Sequence, residues 1–191
     1  MRVLVVDESA EKAELLRDGL RVAGYEVTAS LSSPLALLKA VEDLRPDIIV
    51  IDTDSPSRDV LEHLVVMSQH TPRPVVMFAT DAEPEKIRAA TRAGVSAYVV
   101  DGLDRKRIAA IVDAAVARFE ELQDLRTQLA RANRKLGDRK LVERAKGLLM
   151  RTRGLDEDAA YSLLRKMAMD RKLKLVEVAQ KLVDAADLLG A

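Results

Sequence analysis

Ile48-Ile49-Val50-Ile51-Asp52 sets four β-branched apolar residues in a row and closes them with a carboxylate. A strand that is apolar at every position, and not at alternate ones, has to be buried on both faces. That is the condition of a central strand in a parallel sheet covered by helices. Four further short runs share the character: Val3 to Val6, Glu26 to Ala29, Val75 to Phe78 and Ala97 to Val100. Helix-periodic segments lie between them near 10–23, 34–44, 58–69 and 84–93. With right-handed crossovers this alternation predicts an α/β domain, a doubly wound five-stranded parallel sheet whose site lies at the carboxyl ends of its strands.

Acidic residues stand at those ends: Asp7 and Glu8 follow the first strand, and Asp52 ends the third. Three converging carboxylates repel one another unless a cation or a proton intervenes, and an all-oxygen ligand set suits a hard cation, Mg²⁺ above all. Ser9, Ser30, Ser55 and Ser96 have no histidine-centred constellation around them, and His63 and His70 read as helix-surface residues. No catalytic machinery is legible in these residues, and an enzyme is not expected.

These residues resemble the receiver domains of response regulators over about residues 1–112. The resemblance implies that Asp7 and Glu8 are the metal-binding acidic pair, that Asp52 is the phosphoacceptor, and that Pro56 is the proline four residues beyond it. Two positions depart from the pattern. The switch hydroxyl position falls on Ala79, with Thr80 one residue later, and the Lys-Pro pair after the fifth strand reads Asp101-Gly102. An acid in place of the lysine that holds the phosphoryl oxygens adds repulsion where a phosphate must sit, which argues against phosphorylation-driven switching. Tyr98-Val99-Val100-Asp101-Gly102-Leu103 instead resembles the NasT branch of antiterminators. That resemblance implies control by a sensor partner protein, with Ala79, Thr80, Tyr98 and Asp101 as the altered switch.

Formal net charge is zero over 191 residues, but it is unevenly spread. Residues 1–112 carry 14 Lys+Arg against 18 Asp+Glu, whereas residues 139–191 carry 12 against 8. Only the second part has a charge that favours nucleic acid, and modestly. The absence of cysteine excludes disulfides and cysteine-ligated metal sites and fits a cytoplasmic protein. Neither a signal peptide nor a membrane span is legible. All six prolines lie at or before Pro84, and the remainder, rich in Ala, Leu, Arg, Lys and Glu, favours helix.

From Ile108 the pattern becomes a heptad. Ile108, Ala115, Leu122, Leu129 and Leu136 recur every seven residues, joined by Ile111 and Leu125. Such a seam predicts a coiled-coil dimerisation helix over 108–137; the alternative is a long amphipathic helix folded back on its own receiver. Gly137-Asp138 is expected to break it, with Asp138 as N-cap. A tail helix then runs to about Arg151, a second follows Asp156-Glu157-Asp158, and a third runs through Leu188. Val142, Ala145, Leu149, Leu164, Met167 and Leu182 can fill the core of this three-helix bundle. Gly147 inside the first tail helix costs about 1 kcal/mol relative to alanine, which suggests a backbone closely approached by another helix or a ligand. Tyr161 and Arg165 are four apart, hence neighbours on one face, and a tyrosine beside an arginine can stack and clamp splayed bases. Arg139, Lys140, Arg144 and Lys146 could contact phosphates.

Lys140 to Met150 and Ala159 to Met169 resemble the ANTAR module, the RNA-binding antitermination domain of the AmiR and NasR regulators, densely over about 138–189. Ala145, Lys146, Tyr161, Arg165, Ala168 and Met169 match its recurrent positions. The resulting organisation is a receiver-like domain (1–107), a dimerising helix (108–137) and an ANTAR bundle (138–191). The resemblance implies a cytoplasmic antitermination regulator that binds hairpin loops of a leader RNA. Its partners would be RNA, a second copy, and a sensor protein or histidine kinase. The alternative is a DNA-binding response regulator, against which stands a tail without a recognition helix dense in Arg, Asn and Gln.

Overall fold

The computed structural model describes residues 1–7, 10–33, 36–101 and 104–189. They form two compact units, Met1–Gln123 and Asp124–Ala191.

The first unit is the expected doubly wound fold. Strands β1 (Arg2–Asp7), β2 (Glu26–Leu31), β3 (Ile48–Thr53), β4 (Val75–Ala79) and β5 (Ala97–Val100) alternate with helices α1 (Ala10–Val22), α2 (Leu37–Leu44), α3 (Arg58–His70) and α4 (Pro84–Arg92). The strands pair in parallel in the order β2-β1-β3-β4-β5. The two-residue period of a strand sends neighbours to opposite faces. Leu4, Val6, Ile49, Ile51, Val75 and Met77 accordingly pack beneath α2, α3 and α4, together with Leu37, Leu64 and Met67. Val3, Val5, Ile48, Val50, Val76 and Phe78 pack on the other face against Leu16 and Leu20 of α1.

Helix α5 (Arg105–Arg153) completes this second face. Its first turns bring Ile108, Val112 and Ala115 into the core, fully or almost fully buried, with Ile111 partly buried beside them. Ile108, Ile111 and Ala115 therefore do not belong to a dimer seam. They share the seven-residue spacing of the later leucines because one helix face continues, but this part of the face is spent on the sheet. Gly19 of α1 leaves room for the buried Ile108 of α5, whose Cδ1 a Cβ there would displace.

The break expected at Gly137-Asp138 does not occur. Helix α5 is continuous through both residues, and Asp138 caps nothing. One glycine costs a helix about 1 kcal/mol but does not forbid it, and the flanking Arg134, Lys135, Leu136, Arg139, Lys140 and Leu141 are strong helix formers. The first helix of the C-terminal bundle is thus the end of α5, not a separate element beginning at residue 138. Asp156 caps α6 (Glu157–Arg171), its carboxylate accepting from the Ala159 N–H at 2.7 Å. At the other end Lys172 adopts the left-handed conformation, and its N–H donates to the last carbonyls. Helix α7 (Leu175–Leu189) opens with Glu177 accepting from the Lys174 N–H at 2.8 Å. Ala145, Leu148 and Leu149 of α5, Ala160, Leu164 and Ala168 of α6, and Val178, Ala179 and Val183 of α7 make the bundle core.

Candidate functional site

At the carboxyl edge of the sheet, Asp7 and Asp52 face each other across neighbouring strands in the same register. Parallel strands lie about 4.8 Å apart, so the two carboxylates are neighbours. They are only 5 % and 7 % exposed. Glu8, the third expected ligand, lies outside the described residues, and among those described no group of three His, Cys, Asp or Glu stands together. Two buried carboxylates at one level are oxygen donors of the kind a hard cation prefers.

The loops after β3 and β4 are tied together beside this pair. The Thr80 hydroxyl donates to the Asp54 carbonyl at 2.9 Å, and the Thr80 and Asp81 N–H groups donate to the same oxygen. Ser55 donates to the Asp81 carboxylate at 2.7 Å, the Glu83 N–H donates to its other oxygen, and the Tyr98 hydroxyl donates to the Asp81 carbonyl at 2.8 Å. The Ser55 hydroxyl, then the Glu83 N–H, hold the Asp81 carboxyl below its ordinary range. Burial, then the Asp81 charge, push Tyr98 up. Ala79 is buried at the end of β4 and offers no hydroxyl. Asp101 is exposed in a left-handed turn directly after β5, its N–H donating to the Ala79 carbonyl at 3.1 Å. Sequence reasoning missed Ser55 and Asp81. Both follow strand ends that lie side by side, a juxtaposition that strand order reveals and spacing does not.

In the second unit the expected RNA-binding residues divide. Tyr161 is 42 % exposed and Met169 66 %, with Arg165 exposed between them, so positions i, i+4 and i+8 form one open stripe on α6. Arg139 and Lys140 are exposed on α5. Arg144 is exposed and pairs with Asp187 of α7. Three expected contacts are corrected by burial. Ala145 and Ala168 are core residues, small because helices cross over them. Lys146 is 7 % exposed and held between Glu157 at 2.7 Å and Glu143 at 2.9 Å, which raise its pKa and leave it stapling α5 to α6. The Glu143–Lys146 spacing of three was visible in the sequence; Glu157 was not recognisable as the second partner.

A parallel sheet ordered β2-β1-β3-β4-β5, with paired carboxylates at its carboxyl edge, is the architecture of a doubly wound α/β domain of the receiver type. The chain belongs to the response regulator family: the response regulator receiver domain model matches residues 3–113. Its C-terminal part is an ANTAR domain, matched over residues 130–183. The transcriptional regulatory protein PdtaR of Mycobacterium tuberculosis is 29 % identical over 183 residues, which cover 96 % of this chain and 89 % of that one. The nitrate regulatory protein of Klebsiella oxytoca is 48 % identical over 63 residues, 33 % of this chain and 16 % of that one. Among solved structures, the response regulator domain of Thermotoga maritima CheB aligns with a TM-score of 0.52 at 22 % identity, covering 63 % of this chain and 96 % of that one, a likeness of fold. Among the described residues, no helix is long and apolar enough to cross a membrane.

Proposed function

We infer that the protein is a cytoplasmic transcription antitermination regulator whose ANTAR unit binds hairpin loops in a leader RNA and stabilises them at the expense of a terminator. The observation that carries this reading is the exposed stripe Tyr161, Arg165 and Met169. A bundle that needed these residues for its core would bury them, as it buries Leu164 and Ala168 on the same helix. An exposed tyrosine one turn from an arginine offers a base-stacking face with a cationic edge, and Arg139 and Lys140 add charge for phosphates. The exposed leucines of α5 support a homodimer, which would let two loops be held at once.

Control is proposed to run through a sensor partner acting on the receiver unit, not through an acyl phosphate on Asp52. Asp7 and Asp52, with Glu8, would hold Mg²⁺, which when bound supplies a hard positive centre for a phosphate oxygen. The residues that would hold the phosphoryl group and answer to it are replaced. Ala79 has no hydroxyl, the neighbouring Thr80 hydroxyl is engaged by Asp54, and Asp101 brings a negative charge. The sequence match of the tail to ANTAR, and its lack of a recognition helix, weigh against the DNA-binding alternative.

The test is binding of the full chain to hairpin RNA and to duplex DNA. Tyr161→Ala is expected to weaken hairpin RNA binding by about 1 to 3 kcal/mol, the worth of one stacked base, with the bundle still folded. Preference for duplex DNA, or full RNA affinity in folded Tyr161→Ala, would overturn the reading.

A further inference from the structure

The glycine at 147 is unexplained by the fold. It lies in the interior of α5, half-buried, between Lys146 and Leu148. Two intramolecular reasons for a glycine operate elsewhere in the chain: close packing at Gly19, and a left-handed backbone at Gly154, where φ is +64°. Neither applies here. A Cβ at Gly147 would meet nothing within 4 Å, and its φ is not left-handed. The position is an open notch of bare helix backbone.

What surrounds the notch gives its occupant. Of the residues within one turn of Gly147, Ala145, Lys146, Leu148 and Leu149 are buried, leaving Glu143, Arg144, Met150 and Arg151 exposed. Glu143 is occupied by Lys146. At about 100° per residue, Lys140 and Arg151 project within about 20° and about 40° of the Gly147 direction, on either side of it along the axis. Both are exposed. A gap in the side chains at Gly147, with Lys140 two turns before it and Arg151 one turn after, and with the intervening Glu143 paired to Lys146, fits an extended polyanion. The missing side chain lets a sugar-phosphate chain come close, and the cations meet its phosphates. Met150 alone is too little apolar rim for a second helix.

We propose that Gly147 is the floor on which the backbone of the bound RNA rests, with Lys140 and Arg151 contacting phosphates to either side. This rests on the RNA-binding reading above and adds to it a residue that acts by having no side chain.

The probe is an RNA of two hairpins whose loops have been selected from a randomised pool against the wild-type full chain. Gly147→Ala has space for its methyl and gains helix propensity, so it is expected to melt at or above the wild-type temperature while losing about tenfold or more in affinity. Gly137→Ala serves as control, because Gly137 is an exposed glycine of the same helix with equally open surroundings; it is expected to gain stability with no loss of affinity. Lys140→Ala and Arg151→Ala should each flatten the log–log salt slope by about 0.7 to 0.9. Gly147→Ala binding the selected RNA as tightly as wild type would overturn the proposal and leave the RNA-binding reading standing. A changed sedimentation coefficient in Gly147→Ala without RNA would also overturn it, marking the notch as a seat for a second copy. If the wild-type chain selects no RNA at all, the RNA-binding reading falls and takes the notch with it.

Discussion

Single residues carry opposite meanings in the two units, and their surroundings decide which. Gly19 is a packing residue, because α1 and α5 meet over it. Gly19→Ala should gain up to about 1 kcal/mol in helix propensity and lose about 1 to 3 kcal/mol by overpacking Ile108, which is fully buried and has little room to turn away. A net fall in stability of about 1 kcal/mol in denaturant unfolding is expected, and a net gain would show that the contact relaxes freely. Lys146 is a staple, buried between α5 and α6 and paired with Glu157 and Glu143. Hydrogen bonds that Lys146 donates to Glu157 and then to Glu143 raise its pKa, and Lys146 in turn lowers that of Glu157. A raised lysine contributes its full stability below its ordinary pKa and loses it as pH rises through the folded value. A lowered carboxylate contributes above its ordinary pKa and loses it as pH falls through the folded value. The staple is therefore complete at neutral pH and dissolves at both extremes. Lys146→Met should lower the melting temperature at pH 7 and flatten both limbs of its pH dependence. Unchanged limbs, measured by circular dichroism, would remove the staple from the account.

Helix α5 is one element with two successive duties. Its first turns bury Ile108, Val112 and Ala115 on the sheet; further on, Leu122, Leu125, Leu129 and Leu136 are 45 to 62 % exposed. Four leucines at heptad-related positions, left open on one helix, match what a parallel or antiparallel copy would cover. Changing Leu122 and Leu129 together to glutamate should turn a dimer into a monomer by sedimentation. The receiver unit should remain folded, because the residues that α5 buries in its core, Ile108, Val112 and Ala115, lie upstream of both leucines. A wild-type chain that stays monomeric at tens of micromolar would reject the seam. The tyrosine at position 25 reports on that upstream share. Its hydroxyl bonds Asp113 of α5 at 2.6 Å, and burial, followed by this hydrogen bond, pushes its pKa up to about 12.

For the molecule as a whole, the question is whether the acidic edge of the sheet drives the output. The switch hydroxyl and the phosphate-holding lysine of the receiver pattern are replaced here by Ala79 and Asp101, and the loops after β3 and β4 are joined through Ser55, Thr80, Asp81 and Tyr98. Asp52→Ala is therefore expected to leave most of the regulatory output intact in a transcription-readthrough assay. Labelling of wild-type Asp52 by phosphoramidate with Mg²⁺ should be weak. Asp101→Lys, which replaces repulsion with attraction, should raise labelling by about tenfold. Efficient wild-type labelling coupled to a large gain in RNA affinity would restore phosphorylation as the switch.

The strands, the helices between them, the acids at the strand ends and the identity of both domains were legible in the sequence. Each rests on local chemistry: β-branched runs, helix periodicity, acids at the start of α6, and carboxylates placed at strand ends. The tertiary structure alone decided how a single helical pattern is divided. Ile108 and Leu122 occupy equivalent heptad positions, yet one is fully buried and the other nearly half exposed, because only the first lies within reach of the sheet. It likewise decided that Lys146 is a buried staple while Arg139 and Lys140 face solvent, since Glu157 comes to Lys146 only when α6 folds back on α5. The fate of Gly137 belongs here too: a propensity penalty of about 1 kcal/mol is small against the neighbouring helix formers, so the expected break became continuous helix. Periodicity states that a face is apolar; what covers that face depends on contacts distant in the chain.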